Sequence, residues 1–497
     1  MSPRLPRLPR RLATSAGALG TVLAAVALLL PHPAGAQGAD VRRAVESLGV
    51  TPLRFDPPEP EHHRVSGVDV FYLEDATVPL VNVIAYLKGG YARFPRELYG
   101  AGMALPALLR YGGTEALAPD SVDKALEFYA LQTSFGGGGE SVYSSLNTLS
   151  VHLDVALRLW SSMLRTPGFD AGEVEVWRGR ELDAVRRRPD DPGRLAFTEF
   201  NRLLYGDHPV GWEMAAEDLT PERVSPERLR DLHRRIVCRD NLVLGITGDV
   251  RWSRARALVA EILADWPPCA QELPPSPAPS IRDEGGVFVI PRPLEQSVLV
   301  LAHPTDVHLG EVDYFPAQIG NSILGGGGFS SRLLARVRTE EGYAYSAASL
   351  WTMPRKYQGL VGAITRTRPE NAAPALELIL SILEDVRREP PSREEVAVAV
   401  DRIANGFVFN FETAAQIVSR RISFRVQELP DDWLEQYLEG IQGVSPQAVR
   451  DVFRHHLRPG DMTVLIVGDP ERMDMEALSA IGPVTLLEVE RSSPEAS

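Results

Sequence analysis

Two hydrophobic periods alternate along the chain. Val68-Asp-Val-Phe-Tyr-Leu and Leu80-Val-Asn-Val-Ile-Ala-Tyr-Leu place apolar, often β-branched residues at a period close to two, which predicts strands. Gly286-Val-Phe-Val-Ile and Gln296-Ser-Val-Leu-Val-Leu-Ala repeat that signal farther along. Within Ala373–Arg387 and Glu394–Phe407 the apolar positions recur at i, i+3 and i+4, which predicts helices. The strands mostly arrive as adjacent pairs followed by helical runs, an order that favours an α+β sheet over a doubly wound parallel one.

Aligned with itself at an offset of 220, the chain repeats. Val224-Ser-Pro-Glu-Arg-Leu-Arg-Asp leads to Leu242-Val-Leu-Gly-Ile-Thr-Gly-Asp, and Val444-Ser-Pro-Gln-Ala-Val-Arg-Asp leads to Met462-Thr-Val-Leu-Ile-Val-Gly-Asp. Between Val224–Asp249 and Val444–Asp469, 9 of 26 positions are identical without a gap. The physical unit is a helix followed by a strand. Ser225 and Ser445 are candidate N-caps, Pro226 and Pro446 stand at the first helical position, and Gly-Asp stops each strand. The expected architecture is two homologous halves, each a mostly antiparallel sheet with helices packed on one face: residues 50–268 and 286–485. A Pro/Ser-rich linker at 269–285 joins them, and 486–497 forms a tail.

The first 36 residues read as an address. Arg4, Arg7, Arg10 and Arg11 precede the run Leu12–Leu30, and Ala34-Gly35-Ala36 supplies a small-residue cleavage site. Export, to a periplasm, is the expected fate; the 19-residue run also leaves an uncleaved membrane anchor open. With 66 Asp+Glu against 52 Lys+Arg, the formal net charge of −14 excludes nucleic acid as the default partner. Cys238 and Cys269 are the only cysteines. They read equally well as one disulfide or as two separate small hydrophobes.

Chemistry concentrates in Gly325-Gly-Gly-Gly-Phe-Ser-Ser-Arg-Leu-Leu-Ala-Arg-Val-Arg338-Thr-Glu-Glu-Gly-Tyr-Ala-Tyr345-Ser. This segment resembles the C-terminal-domain motif of the pitrilysin/insulinase metallopeptidases, the inverzincins. The duplication, the Gly-Asp strand ends and Tyr205-Gly-Asp-His-Pro209 agree with that family over residues 50–485. The resemblance implies that Arg338 and Tyr345 reach an active site, where a guanidinium can hold a carbonyl and a phenol can donate to an oxyanion.

The same resemblance requires His-x-x-Glu-His on a first-half helix and a further Glu about 76 residues on, to hold zinc and activate its water. Here the helix reads Gly100-Ala-Gly-Met-Ala104-Leu-Pro-Ala107-Leu108, so Ala104, Ala107 and Leu108 occupy the motif, and Ala184 stands at the distal position. None of these side chains carries a lone pair, so no metal or other cofactor is expected on this chain. Pro106 is expected to disturb the helix. The His-rich alternatives are poor. His303 and His308 share a face of neither a helix nor a strand, and Pro304 suggests a loop for both. The adjacent pairs His62-His63 and His455-His456 diverge, which suits solvated or cap-like roles. His208 looks structural, and no partner is evident for Glu140 or Asp207. Neither Gly325–Gly328 nor Gly136–Gly139 continues as a phosphate loop. In the family the latter segment is an edge strand that binds substrate, and four glycines are expected to loosen it.

Some members of that family divide the work between two chains. The resemblance therefore implies an accessory subunit that lends Arg338 and Tyr345 to a catalytic partner with an intact zinc motif, acting on peptides or unfolded polypeptides. The alternative is a catalytically silent scaffold of the same fold; an autonomous hydrolase with a new site is a third, weaker reading.

Overall fold

A computed structural model describes residues 57–279, 281–282 and 285–489. The N-terminal address and most of the tail lie outside the described residues.

The first half begins with three strands, β1 (Glu61–Val65), β2 (Val68–Glu74) and β3 (Leu80–Lys88). Helices α1 (Tyr99–Tyr111) and α2 (Pro119–Phe128) lead to the hairpin of β4 (Gln132–Gly137) and β5 (Ser141–Leu149). Then come α3 (Leu153–Arg165), α4 (Ala171–Arg187), α5 (Pro192–Tyr205), α6 (Pro226–Ile236), β6 (Leu242–Gly248) and α7 (Trp252–Ala264). The second half repeats the plan. It runs β7 (Gly286–Pro291), β8 (Ser297–Thr305), α8 (Tyr314–Asn321), β9 (Ala344–Trp351), β10 (Gly359–Thr367), α9 (Ala372–Arg388) and α10 (Arg393–Val408). It closes with α11 (Ala414–Val426), α12 (Trp433–Gln442), α13 (Pro446–His456), β11 (Thr463–Gly468), α14 (Met475–Ile481) and β12 (Val484–Leu486).

The duplication is visible in the sheets. Their strand orders are β1-β2-β6-β3-β5-β4 and β12-β7-β11-β8-β10-β9, so five positions correspond one to one. Only β2–β6 in one sheet and β7–β11 and β7–β12 in the other are parallel pairs; the rest are antiparallel. Ser225 accepts from the Arg228 amide at 3.3 Å and Ser445 from the Ala448 amide at 3.1 Å, capping α6 and α13 at the repeated Ser-Pro.

Most helices of each half pack on one face of its own sheet around a large apolar core. The other face is covered by exchange. Leu195, Ala196, Phe200 and Leu204 of α5, from the first half, lie on Val298, Val300, Leu465 and Val467 of the second sheet. Val418 and Ile422 of α11, from the second half, lie on Phe71 and Val243 of the first. Because α5 and α11 hold the same place in the repeat, the trade is reciprocal. It explains why β6, β8 and β11 are buried at every position, where a sheet covered on one side would alternate.

The inter-half segment is fixed to the first half. Cys269 is disulfide-bonded to Cys238, which settles the pairing left open by the sequence. Farther on, the carbonyl of Pro274 accepts from Arg93 at 2.8 Å and that of Pro277 from His208 Nε2 at 3.0 Å. The other His208 nitrogen accepts from the Val210 amide at 3.2 Å, so the ring bridges two backbone groups.

Candidate functional site

The glycine-rich segment between α8 and β9 is wound unusually. Ser322–Gly326 and Ala335–Glu340 are π-helical, separated by a turn at Gly328, whose φ of +72° suits glycine. A side chain at Gly325 would collide with the backbone of Ser349, so glycine is required for the segment to lie on β9. Three side-chain contacts hold it. Arg332 forms a two-pronged ion pair with Glu395 at 2.7 and 3.0 Å, Arg402 donates to Ser330 at 3.1 Å, and Ser349 donates to the Asn321 side chain at 2.6 Å. The Arg332 hydrogen bonds keep the Glu395 carboxyl below the usual range, and the same carboxylate caps α10 through the Ser392 amide at 2.8 Å.

This frame presents Arg338. Its guanidinium carbon sits 4.7 Å from the centre of the Tyr345 ring and 5.2 Å from that of Phe329. The cation is thus held between two aromatic faces that are themselves 77% and 81% exposed. Among the described residues Arg338 makes no ion pair, which leaves its donors open to an incoming group. Tyr345 owes its exposure to an irregularity in the ladder. Arg366 pairs with Ser346 but Thr367 pairs with Ala344, so Tyr345 is the extra residue of a β-bulge on edge strand β9. A bulge re-aims a side chain, and here Tyr345 and Ser346 both face outward in succession.

The first-half site is apolar. Ala104 and Leu108 on α1 are buried in the core, Ala107 is half-buried, and Ala184 is half-buried on the neighbouring α4. A methyl or isobutyl group cannot ligate a cation, so these positions do not fit the zinc that the motif would hold. Among the described residues no three His, Cys, Asp or Glu side chains converge elsewhere.

Several local expectations need correction. α1 continues through Pro106, because the helix loses only one internal hydrogen bond there while the flanking apolar residues remain packed. β4 runs through two of the four glycines: Gly136 and Gly137 pair with Tyr143 and Val142, and a side chain at Gly136 would strike the Tyr143 ring while one at Gly137 would crowd Pro106. Glu140 has partners, Arg93 at 2.9 Å and Ser276 at 2.7 Å, which tie the hairpin turn to the inter-half segment. His303 lies inside β8, fully buried, and its Nε2 accepts from the Arg458 amide at 2.8 Å; β8 runs on through Pro304 to Thr305. His62 stacks on Phe71 and His63 on Trp252, while His456 pairs with Asp313 at 2.8 Å. Sequence reasoning missed Phe329 as a wall of the Arg338 site. Its place inside the glycine run, where a large apolar residue has nowhere to hide, was the available signal.

The duplicated α+β fold thus sets Arg338 against the exposed Tyr345 ring and, among the described residues, gathers no cluster of metal ligands. Residues 223–403 match the family described as Peptidase M16 inactive domain. An uncharacterised zinc protease of Streptomyces coelicolor is 26% identical over 366 residues, spanning 72% of this chain and 78% of that protein. The non-peptidase homologue YmxG of Helicobacter pylori is 20% identical over 405 residues, spanning 82% and 93%. The crystal structure of a peptidase M16 inactive domain from Pseudomonas fluorescens superposes with a TM-score of 0.75 at 23% identity, covering 84% of this chain and 99% of that one. A protease structure from Helicobacter pylori gives 0.73 at 16%, covering 83% and 100%. The chain is thus similar to M16, or pitrilysin/insulinase-like, proteins over most of its length, and it carries no His-x-x-Glu-His motif.

Proposed function

We propose that the chain is the non-catalytic subunit of an exported heteromeric zinc peptidase, lending Arg338 and Tyr345 to the active site of a partner that carries the zinc motif. One observation carries the reading: the half-buried Arg338 is set against the exposed Tyr345 ring, while the metal positions hold Ala104, Ala107, Leu108 and Ala184. A surface arginine in an acidic chain ordinarily finds a carboxylate; this one lies against two aromatic rings and, among the described residues, makes no ion pair. In that role the guanidinium holds a backbone carbonyl of the peptide. The Tyr345 hydroxyl donates to the oxygen that becomes negative as the scissile carbonyl turns tetrahedral. The chain's own part ends there; it supplies donors and a wall, and no nucleophile.

The test is co-expression with an M16 protein of the same source that retains His-x-x-Glu-His, followed by peptidase assays of each chain alone and of the pair. Only the pair is expected to cleave, with Arg338→Ala and Tyr345→Phe each lowering turnover by roughly 10- to 1000-fold. Chelator-sensitive hydrolysis by this chain alone would overturn the reading. Unchanged turnover in both variants would leave the scaffold role instead.

A further inference from the structure

Beside Tyr345 is a cavity of about 300 Å³. Tyr345, Arg366, Arg368, Asn371 and Gln296 are among its lining residues, and no lining residue is acidic. Arg366 and Arg368 lie two residues apart on an extended backbone and so share a face, while Thr367 between them turns inward to donate to the Tyr343 carbonyl at 2.5 Å. Asn371 also reaches that carbonyl, at 3.5 Å, so the Gly342–Tyr343 backbone forms a fixed floor. Among the described residues neither guanidinium makes an ion pair. The nearby carboxylate of Glu370 is engaged elsewhere, with Arg472 at 2.9 Å, and Arg472 also takes Glu295 at 3.2 Å.

Arg366 is also positioned by the first half. Its guanidinium rests against Gly193, where α5 begins under its Asp191 cap, and a side chain at residue 193 would displace it. Two guanidinium groups that make no ion pair among the described residues, with the neighbouring Glu370 taken by Arg472 and Asp191 taken by the α5 cap, keep donors available for an anion. We propose that this cavity binds a carboxylate of a peptide, through Arg366 and Arg368, next to the Arg338–Tyr345 pair. The choice of a peptide rests on the reading of Tyr345 given under Proposed function. Planar guanidinium groups match a planar carboxylate by paired hydrogen bonds, which a neutral amide cannot reproduce.

Hexapeptides of alanine and leucine carrying an uncharged dansyl group at the N-terminus, titrated onto the full chain by fluorescence anisotropy, test this without a partner. Three probes separate the sources: a free C-terminus, an amidated C-terminus, and an amidated C-terminus with one internal glutamate. One carboxylate-bearing probe is expected to bind about tenfold or more tighter than the neutral amide. Which probe it is says whether a chain end or an acidic side chain is recognised. Arg366→Ala/Arg368→Ala is expected to erase the difference with the melting curve unchanged, and Gly193→Ala to shrink it while keeping both charges. Equal binding of all three probes, or a preference that survives the double variant, overturns the proposal. A carboxylate preference with unchanged turnover in Arg338→Ala would sink the accessory-subunit reading alone.

Discussion

The reciprocal helix exchange can be tested at one glycine. Gly245 stands in the middle of β6, and a Cβ built there would lie 2.5 Å from Val418 Cγ1 and 2.8 Å from Ile422 Cδ1 of α11. Gly245→Ala must therefore push the helix off the sheet or twist both side chains from their rotamers, a strain of about 1–3 kcal/mol. Val418→Ala removes two carbons from a fully buried position. At about 0.8 kcal/mol per buried carbon plus a cavity term, its cost is roughly 2–3 kcal/mol. In the double variant the added methyl moves into the space the valine left, so the two losses fall short of their sum by about 1–2 kcal/mol. Urea denaturation of the full chain, followed by tryptophan fluorescence and circular dichroism together, measures all three. Because each half is sealed by a helix of the other, both probes should report a single shared transition. Losses that add within about 0.5 kcal/mol, or a Gly245→Ala variant as stable as the parent, would refute the packing argument.

Other expectations follow from particular contacts. The Cys238–Cys269 bond closes a loop of 31 residues, and chain entropy alone assigns it roughly 3–4 kcal/mol. Cys238→Ala/Cys269→Ala, or reduction of the parent, should lower the melting temperature, and a curve indifferent to reductant would count against it. His233 is buried on α6 with its Nε2–H donated to the Leu164 carbonyl at 2.7 Å, and burial holds its pKa below the ordinary value. The unfolded chain therefore takes up a proton near pH 6.5 that the folded chain refuses. The stability His233 contributes is present above that pH and is lost as the pH falls toward the folded value. A His233→Gln variant should show a shallower loss between pH 7 and pH 5, and parallel profiles for the two proteins would rule the residue out.

Much of the fold was legible because it is written twice. The Ser-Pro caps at 225 and 445 and the Gly-Asp strand ends at 248 and 468 recur at one offset, and the two sheets repeat one plan at five strand positions. What covers the second face of each sheet was not legible. The apolar stripe of α5 reads the same whichever sheet it meets, and only the tertiary arrangement assigns Phe200 to the second. At the site, the residue types and the spacing of Arg338 and Tyr345 were readable. The bulge that turns Tyr345 outward was not, since it depends on how β9 registers against β10. Pro106 misled for a related reason: packing around Leu105, Leu108 and Leu109 outweighs the local preference against proline.

The traded helices set a rule for recombining this protein with its relatives. A chimaera joined in the proline-rich stretch around residue 275 would carry α5 on one parent and the sheet it seals on the other, and the reverse for α11. Both foreign seams would then have to fit at once. A graft that moves residues 192–205 together with the second sheet, and 414–426 with the first, keeps each lid with its own vessel.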